Sequence, residues 1–125
     1  MPFKVDIFPP DRMVVAVARG EISLADLMML VKELIDSGTL PYCKIIDITS
    51  ATSAIGKDEL ESIAERLRSV PVLKPRGPLA IVADSNRGEL GRLFMSLTSD
   101  ERPVQVFRSI HEARKWLLAN SKVVL

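Results

Sequence analysis

The segment Lys44-Ile45-Ile46-Asp47-Ile48-Thr49-Ser50 constrains the fold more than any other part of the sequence. Its apolar residues occupy both parities, as a strand covered on two faces requires, and the run is too short for a helix. We therefore predict a central strand that opens into a hydroxyl-rich turn. Asp47 is unusual there, because Asp is depleted from strands. Its carboxylate either accepts hydrogen bonds from the backbone of that turn or faces a binding site.

Four more strands and four helices are predicted from apolar periodicity and from capping signals. Ser23 with Asp26, and Ser109 with Glu112, have the spacing of capping boxes, and Gly38 is predicted to end the first helix as a left-handed cap. The other two helices are predicted from about residue 57 and from about residue 87. Residues 44–50 contain the central strand and the start of the turn beyond it, and the other four predicted strands cover residues 3–8, 13–18, 79–83 and 104–107.

The order of these elements predicts an α/β fold with a mixed, mostly parallel five-stranded sheet in the order 1-2-3-4-5. Alternation of buried strands with amphipathic helices requires parallel pairing through right-handed crossovers. The short connection between strands 1 and 2 makes that pair antiparallel and leaves strand 1 at an edge. The 125 residues contain no repeat or linker, so we expect one domain over residues 1–125. Four side chains are predicted to lie in its core: Ile46, Ile48, Ile81 and Val106.

Composition restricts the classes of partner. Seventeen Lys and Arg against sixteen Asp and Glu leave a formal net charge of +1, which offers no electrostatic footprint for nucleic acid or an anionic membrane. The longest apolar runs, Met13–Ala18 and Leu79–Ala83, fall far short of the ~20 residues that span a bilayer. The first residues show no secretory signal pattern, and one cysteine cannot form an internal disulfide. We therefore expect a cytoplasmic protein without membrane insertion.

No catalytic constellation is predicted. With one histidine and one cysteine, the chain lacks the parts of a zinc site and of a Cys-His or Ser-His nucleophile pair. His111 is interpreted as a solvent-facing residue in the first turn of the last helix, and Cys43 as a buried core thiol. We therefore expect no cofactor, no metal and no enzymatic activity.

A ligand or partner is expected at the carboxyl edge of the sheet, where loops and helix N-termini of an open α/β fold converge. Four segments meet there: Arg19–Ser23, Thr49–Ser53, Asp84–Arg87 and Arg108–Ser109. Their arginines, hydroxyls and helix N-terminal amides suit a small anion or a carboxylate-bearing partner, although the same side chains could serve only as caps. The candidate binding residues are Asp47, Thr49, Ser50, Asp84, Ser85, Arg87 and Arg108.

Several segments resemble the SpoIIAA-like, or STAS-like, proteins. Gly20-Glu21-Ile22-Ser23 resembles the step that opens the first helix of STAS domains, and Ile45–Thr49 resembles their third strand. The stretch Arg76–Val82 and the ending Phe107–Leu117 also have counterparts in the small bacterial SpoIIAA-like (STAS/SEC14-like) proteins. The resemblance implies a SpoIIAA-like fold over nearly the whole chain, and it implies function only by analogy.

One departure from that family concerns phosphorylation. In SpoIIAA-type antagonists, a serine at the start of the helix after the third strand is phosphorylated by a partner kinase. The corresponding stretch Ala54–Asp58 contains no hydroxyl, whereas Ser50, Thr52 and Ser53 lie a few residues upstream. We therefore predict that the phosphoserine switch is absent.

Two classes of function remain. The resemblance implies a non-enzymatic protein-interaction or signalling module of the STAS type, or alternatively a small-molecule or lipid carrier of the SEC14-like type. A solid core with an exposed apolar patch would favour the module, and an apolar cavity between the sheet and the helices would favour the carrier.

Self-association is a further expectation. Strand 1 is an edge with free backbone groups. If the helices fall mainly on one face of the sheet, apolar side chains of strands 1 and 2 stay exposed on the opposite face. A homodimer would cover these apolar side chains. The apolar tail Val123–Leu125 could cover the same surface within one chain.

Overall fold

The computed structural model of the protein describes residues 3–39, 41–53, 58–59, 61–62, 65, 77–83 and 104–120. Within these residues the bounds of five strands and two α-helices are defined, together with a 3-10 turn at Pro9–Asp11. The elements are β1 (Phe3–Phe8), β2 (Met13–Ile22), α1 (Leu24–Asp36), β3 (Cys43–Ser53), β4 (Leu79–Val82), β5 (Val104–Phe107) and α2 (Ile110–Asn120).

The five strands form one sheet in the order β1-β2-β3-β4-β5, which confirms the predicted order. Strand β1 pairs with β2 antiparallel, and the three following pairs are parallel. The predicted α/β class and mostly parallel pairing are therefore confirmed.

Two of the four predicted helices have defined bounds, α1 and α2. Residues 58, 59, 61, 62 and 65 are helical and fall inside the predicted second helix. The predicted third helix and the tail 121–125 lie outside the described residues. No helix in the described part of the chain is long and apolar enough to cross a membrane.

A tight turn joins β1 to β2 and also contacts β3. After the 3-10 turn, Arg12 adopts a left-handed conformation with φ 49°, and its N–H donates to the Pro9 carbonyl oxygen at 3.1 Å. The Arg12 carbonyl oxygen accepts from the Cys43 N–H at 3.0 Å, and its guanidinium lies 5.1 Å from the centre of the Tyr42 ring. These contacts place the start of β3 beside the start of β2 and favour the parallel register of the two strands.

Helix α1 ends in a Schellman motif. Gly38 has φ 71°, and its N–H donates to the Ile35 carbonyl oxygen at 3.1 Å. The Thr39 N–H donates to the Leu34 carbonyl oxygen, also at 3.1 Å. This bond pattern satisfies the last carbonyls of the helix, and a left-handed position favours glycine. The predicted cap at Gly38 is confirmed.

The connection into β4 passes very close to the turn before β3. A Cβ on Gly77 would overlap the backbone carbonyl oxygens of Pro41 and Tyr42, so only glycine fits there. The neighbouring Pro78 carbonyl oxygen accepts from the Lys44 N–H at 2.9 Å. This close approach aligns β3 with β4 at the amino end of their pairing.

The helices cover opposite faces of the sheet. On one face, Leu30 and Leu34 of α1 pack in a cluster with side chains from all five strands. On the other face, Ala113 and Leu117 of α2 pack with side chains of β2, β3 and β4, including the fully buried Ile45. Helix α2 follows the last strand and is not a crossover between paired strands. The expectation that the helices fall mainly on one side concerns the predicted second and third helices as well, whose packing lies outside the described residues, so it stays a prediction.

The predicted core residues divide into two pairs. Ile48 and Ile81 are buried, as predicted. Ile46 and Val106 are only partly buried and pack against the α1-side cluster.

Replacement of Ile45 tests the importance of burial on both faces. The Ile45 side chain is fully buried, so Ile45→Ala should lower the free energy of unfolding by about 2–5 kcal/mol through lost apolar burial and the cavity that remains. Urea denaturation measures this change. Leu118, which is 70% exposed on α2, is the matched control, and Leu118→Ala should change stability by less than about 0.5 kcal/mol. Equal effects of the two substitutions would contradict the packing described.

Candidate functional site

Two strands extend past the carboxyl edge of the rest of the sheet. The pairing of β3 with β4 ends at Asp47 opposite Val82, whereas the pairing of β2 with β3 continues to Ile22 opposite Ser53. Residues 19–22 and 50–53 thus form a two-stranded parallel extension, which we call the β2–β3 ledge. The predicted end of strand 2 at residue 18 is therefore too early, and the predicted turn from Thr49 onward is strand as far as Ser53. Apolar patterning stops there, but ladder hydrogen bonds between backbone groups need no apolar side chains.

A β-bulge separates the ledge from the buried part of the sheet. Val17 is opposite Asp47 and Arg19 is opposite Ser50, so one residue of β2 faces two residues of β3. The bulge changes which face the side chains of β3 point to. Ile48 and Ala51 are three positions apart and would face opposite sides of a regular strand, but both lie in the α1-side core. Beyond the bulge, each side chain of β3 therefore points to the face opposite to the one it would have in a regular strand.

Asp47 stabilises the backbone at this bulge. Its Oδ1 accepts a hydrogen bond from the Thr49 N–H at 2.9 Å and another from the Thr49 hydroxyl at 2.7 Å. The first of the two sequence interpretations is thus confirmed, because the carboxylate bonds to the backbone two residues along the chain. An acidic residue is tolerated in this strand because the bulge interrupts the ladder next to it.

The ledge presents an exposed row of polar side chains. Arg19 lies opposite Ser50, and Glu21 lies opposite Thr52. All four residues are exposed, whereas Ile22 and Ala51 at the alternate positions are buried in the α1-side core. Because successive residues of a strand point to opposite faces, the polar row lies on the face away from α1.

Three residues of this row were not singled out from the sequence. Arg19, Glu21 and Thr52 belong to segments expected at the carboxyl edge, but only Ser50 was among the candidate binding residues. The available signal was the alternation of Arg19, Gly20, Glu21 and Ile22, which is typical of a half-exposed strand.

The N-terminus of α1 is satisfied by its own chain. The Ser23 Oγ accepts from the Asp26 N–H at 3.2 Å, while the Asp26 carboxylate accepts from the Ser23 N–H at 2.8 Å and from its hydroxyl at 2.9 Å. This capping box confirms the cap interpretation of Ser23. The Asp26 carboxylate also occupies the position that an external anion would take at the positive end of the helix.

The N-terminus of α2 is also capped by a serine and by a carboxylate three residues further along. The Ser109 Oγ accepts from the Glu112 N–H at 3.2 Å, and the Ser109 hydroxyl donates to Glu112 Oε1 at 3.4 Å. Both described helix N-termini at the carboxyl edge therefore carry a carboxylate of this chain. That arrangement makes them less suited to a bound anion than the sequence suggested.

The remaining candidate residues are not all brought together. Arg108 is exposed and follows β5, which lies two strands from β3, a distance of about 10 Å. Asp84, Ser85 and Arg87 lie outside the described residues. Of the two groups considered for chemistry, His111 is exposed and Cys43 is a buried free thiol, as predicted. Among the described residues, no cluster of three or more His, Cys, Asp or Glu side chains could hold a metal ion.

Substitutions at Asp47 test its role at the bulge. Asp47→Ala leaves the Thr49 N–H without its acceptor and should lower the free energy of unfolding by about 1–3 kcal/mol. Asp47→Asn keeps a side-chain oxygen in the same place and should retain most of the stability. Ser50→Ala, on the exposed row, is the control and should change stability by less than about 0.5 kcal/mol. Chemical denaturation of the three variants measures these differences, and an unchanged Asp47→Ala variant would refute the role assigned to the carboxylate.

Comparison with known proteins agrees with this architecture. No protein-family model matches the sequence, and no curated protein matches it either. A solved structure of an uncharacterized DUF3478-family protein with a SpoIIAA-like fold, from Shewanella loihica PV-4, superposes with a TM-score of 0.62 at 15% identity, covering 92% of this chain and 91% of that one. An anti-sigma factor antagonist from Mycobacterium paratuberculosis superposes with a TM-score of 0.59 at 16% identity, covering 93% of this chain and 92% of that one. The chain therefore has the SpoIIAA-like fold of the STAS-type proteins.

Proposed function

We propose that this protein is a non-enzymatic protein-interaction module of the cytoplasm and that the β2–β3 ledge is its partner-binding surface. The observation that carries the proposal is the exposed row of Arg19, Glu21, Ser50 and Thr52 on paired backbone. The row combines a cation, an anion and two hydroxyls, which can each bond to complementary groups of a protein surface. The buried free thiol of Cys43 suits a reducing compartment.

The ledge is suited to recognition because its backbone is held in place. Strands β2 and β3 pair along its whole length, and the Asp47–Thr49 hydrogen bonds stabilise the bulge at its base. A partner therefore meets side chains that stand on ordered backbone, and binding orders less of this chain than it would at a free loop, so it costs less conformational entropy. Arg19 in particular offers a planar set of donors that can bond to a carboxylate in a bidentate way.

The class of partner is proposed by analogy with the fold. The Mycobacterium paratuberculosis protein is an anti-sigma factor antagonist, and its fold superposes over 93% of this chain. We extend this role to the present protein and propose a regulatory protein of the anti-sigma class as the partner. The analogy rests on the fold, so the ledge residues are the part that experiment must test.

The carrier alternative is less well supported. The described core is occupied by side chains of the protein itself on both faces of the sheet, with Val14, Ile45, Leu79 and Leu117 fully buried. A carrier of apolar ligands needs apolar surface that its own side chains leave free. Native mass spectrometry of the purified protein distinguishes the two, because a retained small molecule would favour the carrier.

Charge exchange on the ledge tests the proposed surface. The double variant Arg19→Glu with Glu21→Arg keeps the net charge but reverses the pattern that a partner would recognise. Recovery of protein partners from the native cells, quantified by mass spectrometry, should fall about tenfold relative to the wild type, because like charges would then face each other across the interface.

The matched control exchanges a charge pair elsewhere. Lys32 and Asp36 form an exposed salt bridge of 3.0 Å on α1, so Lys32→Asp with Asp36→Lys preserves both net charge and pairing. Partner recovery by this variant should equal that of the wild type. Equal losses in both double variants would place the surface away from the ledge, and the absence of any enriched protein would overturn the interaction module itself.

A second proposal is that binding is not switched by phosphorylation at the family position. It is supported by the absence of a hydroxyl in Ala54–Lys57, a stretch that lies outside the described residues. Phosphopeptide mapping of the protein from its native cells should find less than stoichiometric phosphate on Ser50, Thr52 and Ser53. Stoichiometric phosphate on one of these hydroxyls would show that the acceptor has only moved along the chain.

A further inference from the structure

Strand β1 is an edge of the sheet with an unusual charge pattern. It pairs with β2 on one side, and in the described sheet no strand lies beyond it. Lys4 and Asp6 are exposed on the face away from α1, where they stand opposite Val17 and Val15 of β2. Within the described residues, neither charge forms an ion pair with its own chain.

The alternate positions of β1 are apolar and become more exposed toward its end. Phe3 is 7% exposed and Val5 is partly buried, whereas Ile7 is 37% exposed. Phe8, which shares a face with Lys4 and Asp6 and lies opposite Met13, is 43% exposed. A strand with free backbone groups and apolar side chains on its edge is a template for pairing with another strand, and natural proteins cover or block such edges.

We propose that β1 pairs antiparallel with β1 of a second copy of this chain, about a two-fold axis at Val5. In that register Lys4 lies opposite Asp6 of the partner subunit, and Asp6 lies opposite Lys4 of the partner subunit. Two cross-strand ion pairs of opposite sign therefore form on one face. On the other face, Phe3 lies opposite Ile7 of the partner subunit, which covers the exposed apolar end of the strand.

The charges select this register over its neighbours. Opposite residues of an antiparallel pair share a face, so a two-fold axis normal to the sheet must pass beside one residue. An axis at Asp6 would place two carboxylates opposite each other, and an axis at Lys4 would do the same with two ammonium groups. Like charges directly opposite destabilise a strand pair. Of these three axes, only the one at Val5 pairs unlike charges.

The dimer leaves the ledge available. The pairing uses the outer edge of β1, whereas the ledge is formed by the far ends of β2 and β3. An axis normal to the sheet keeps both ledges on the same face of a continuous ten-stranded sheet. The inference is therefore independent of the proposed function, and either can fail without the other.

A charge-exchange experiment tests the register. Sedimentation equilibrium of the full chain over micromolar concentrations should show a monomer–dimer equilibrium. Lys4→Asp places two carboxylates opposite each other at both ends of the strand pair, and Asp6→Lys does the same with ammonium groups. Each single variant should therefore dimerise roughly tenfold more weakly than the wild type.

Mixing the two variants provides the decisive measurement. A Lys4→Asp chain carries carboxylates at both positions and an Asp6→Lys chain carries ammonium groups at both, so the mixture should form a heterodimer that neither variant forms with itself. Circular dichroism of each variant serves as the control for folding, since both side chains face only valines on β2. A wild type that is monomeric at all concentrations, or a dimer unaffected by either substitution, would overturn the proposal, as would a mixture that fails to dimerise.

Discussion

The burial of β3 on both faces is the constraint on which the rest of the structure depends. Ile45 and Ile48 point to opposite faces of the strand, and both are buried. A strand of this kind needs a neighbour on each edge and a cover on each face, because its backbone groups must be paired and its side chains removed from water. Strands β2 and β4 provide the neighbours, and α1 and α2 provide covers on the two faces.

The same strand changes its role within a few residues. Up to Asp47 it is the centre of the core, and after the bulge it becomes half of an exposed ledge. The Asp47 carboxylate makes this change possible at small cost, since it supplies an acceptor for a backbone N–H beside the interrupted ladder. The proposed binding surface therefore begins directly beside the core, on paired strands.

Capping decides how the carboxyl edge can be used. At many helix N-termini of open α/β folds, free N–H groups bind anions. Here Asp26 and Glu112 already hold the caps of α1 and α2, so the positive ends of both helices are neutralised by the chain itself. Among the described residues of this edge, the groups that stay available to a partner are side chains on the strands, which supports the proposed contact with a protein surface over capture of a small anion.

Local chemistry determined much of this architecture from sequence alone. The buried centre of β3, the capping box at Ser23, the serine cap at Ser109 and the glycine cap at Gly38 follow from periodicity and from hydrogen bonds between residues close in sequence. The strand order follows from the right-handed crossovers that alternating strands and helices require. The length of β2 and β3, the bulge and the opposite placement of α2 do not, because they depend on backbone pairing and packing between residues far apart in the chain. Arg19 and Ser50 became neighbours only through the shifted parallel register of two strands. The sequence therefore determined which residues could serve a site, and the tertiary structure decided which of them share one surface.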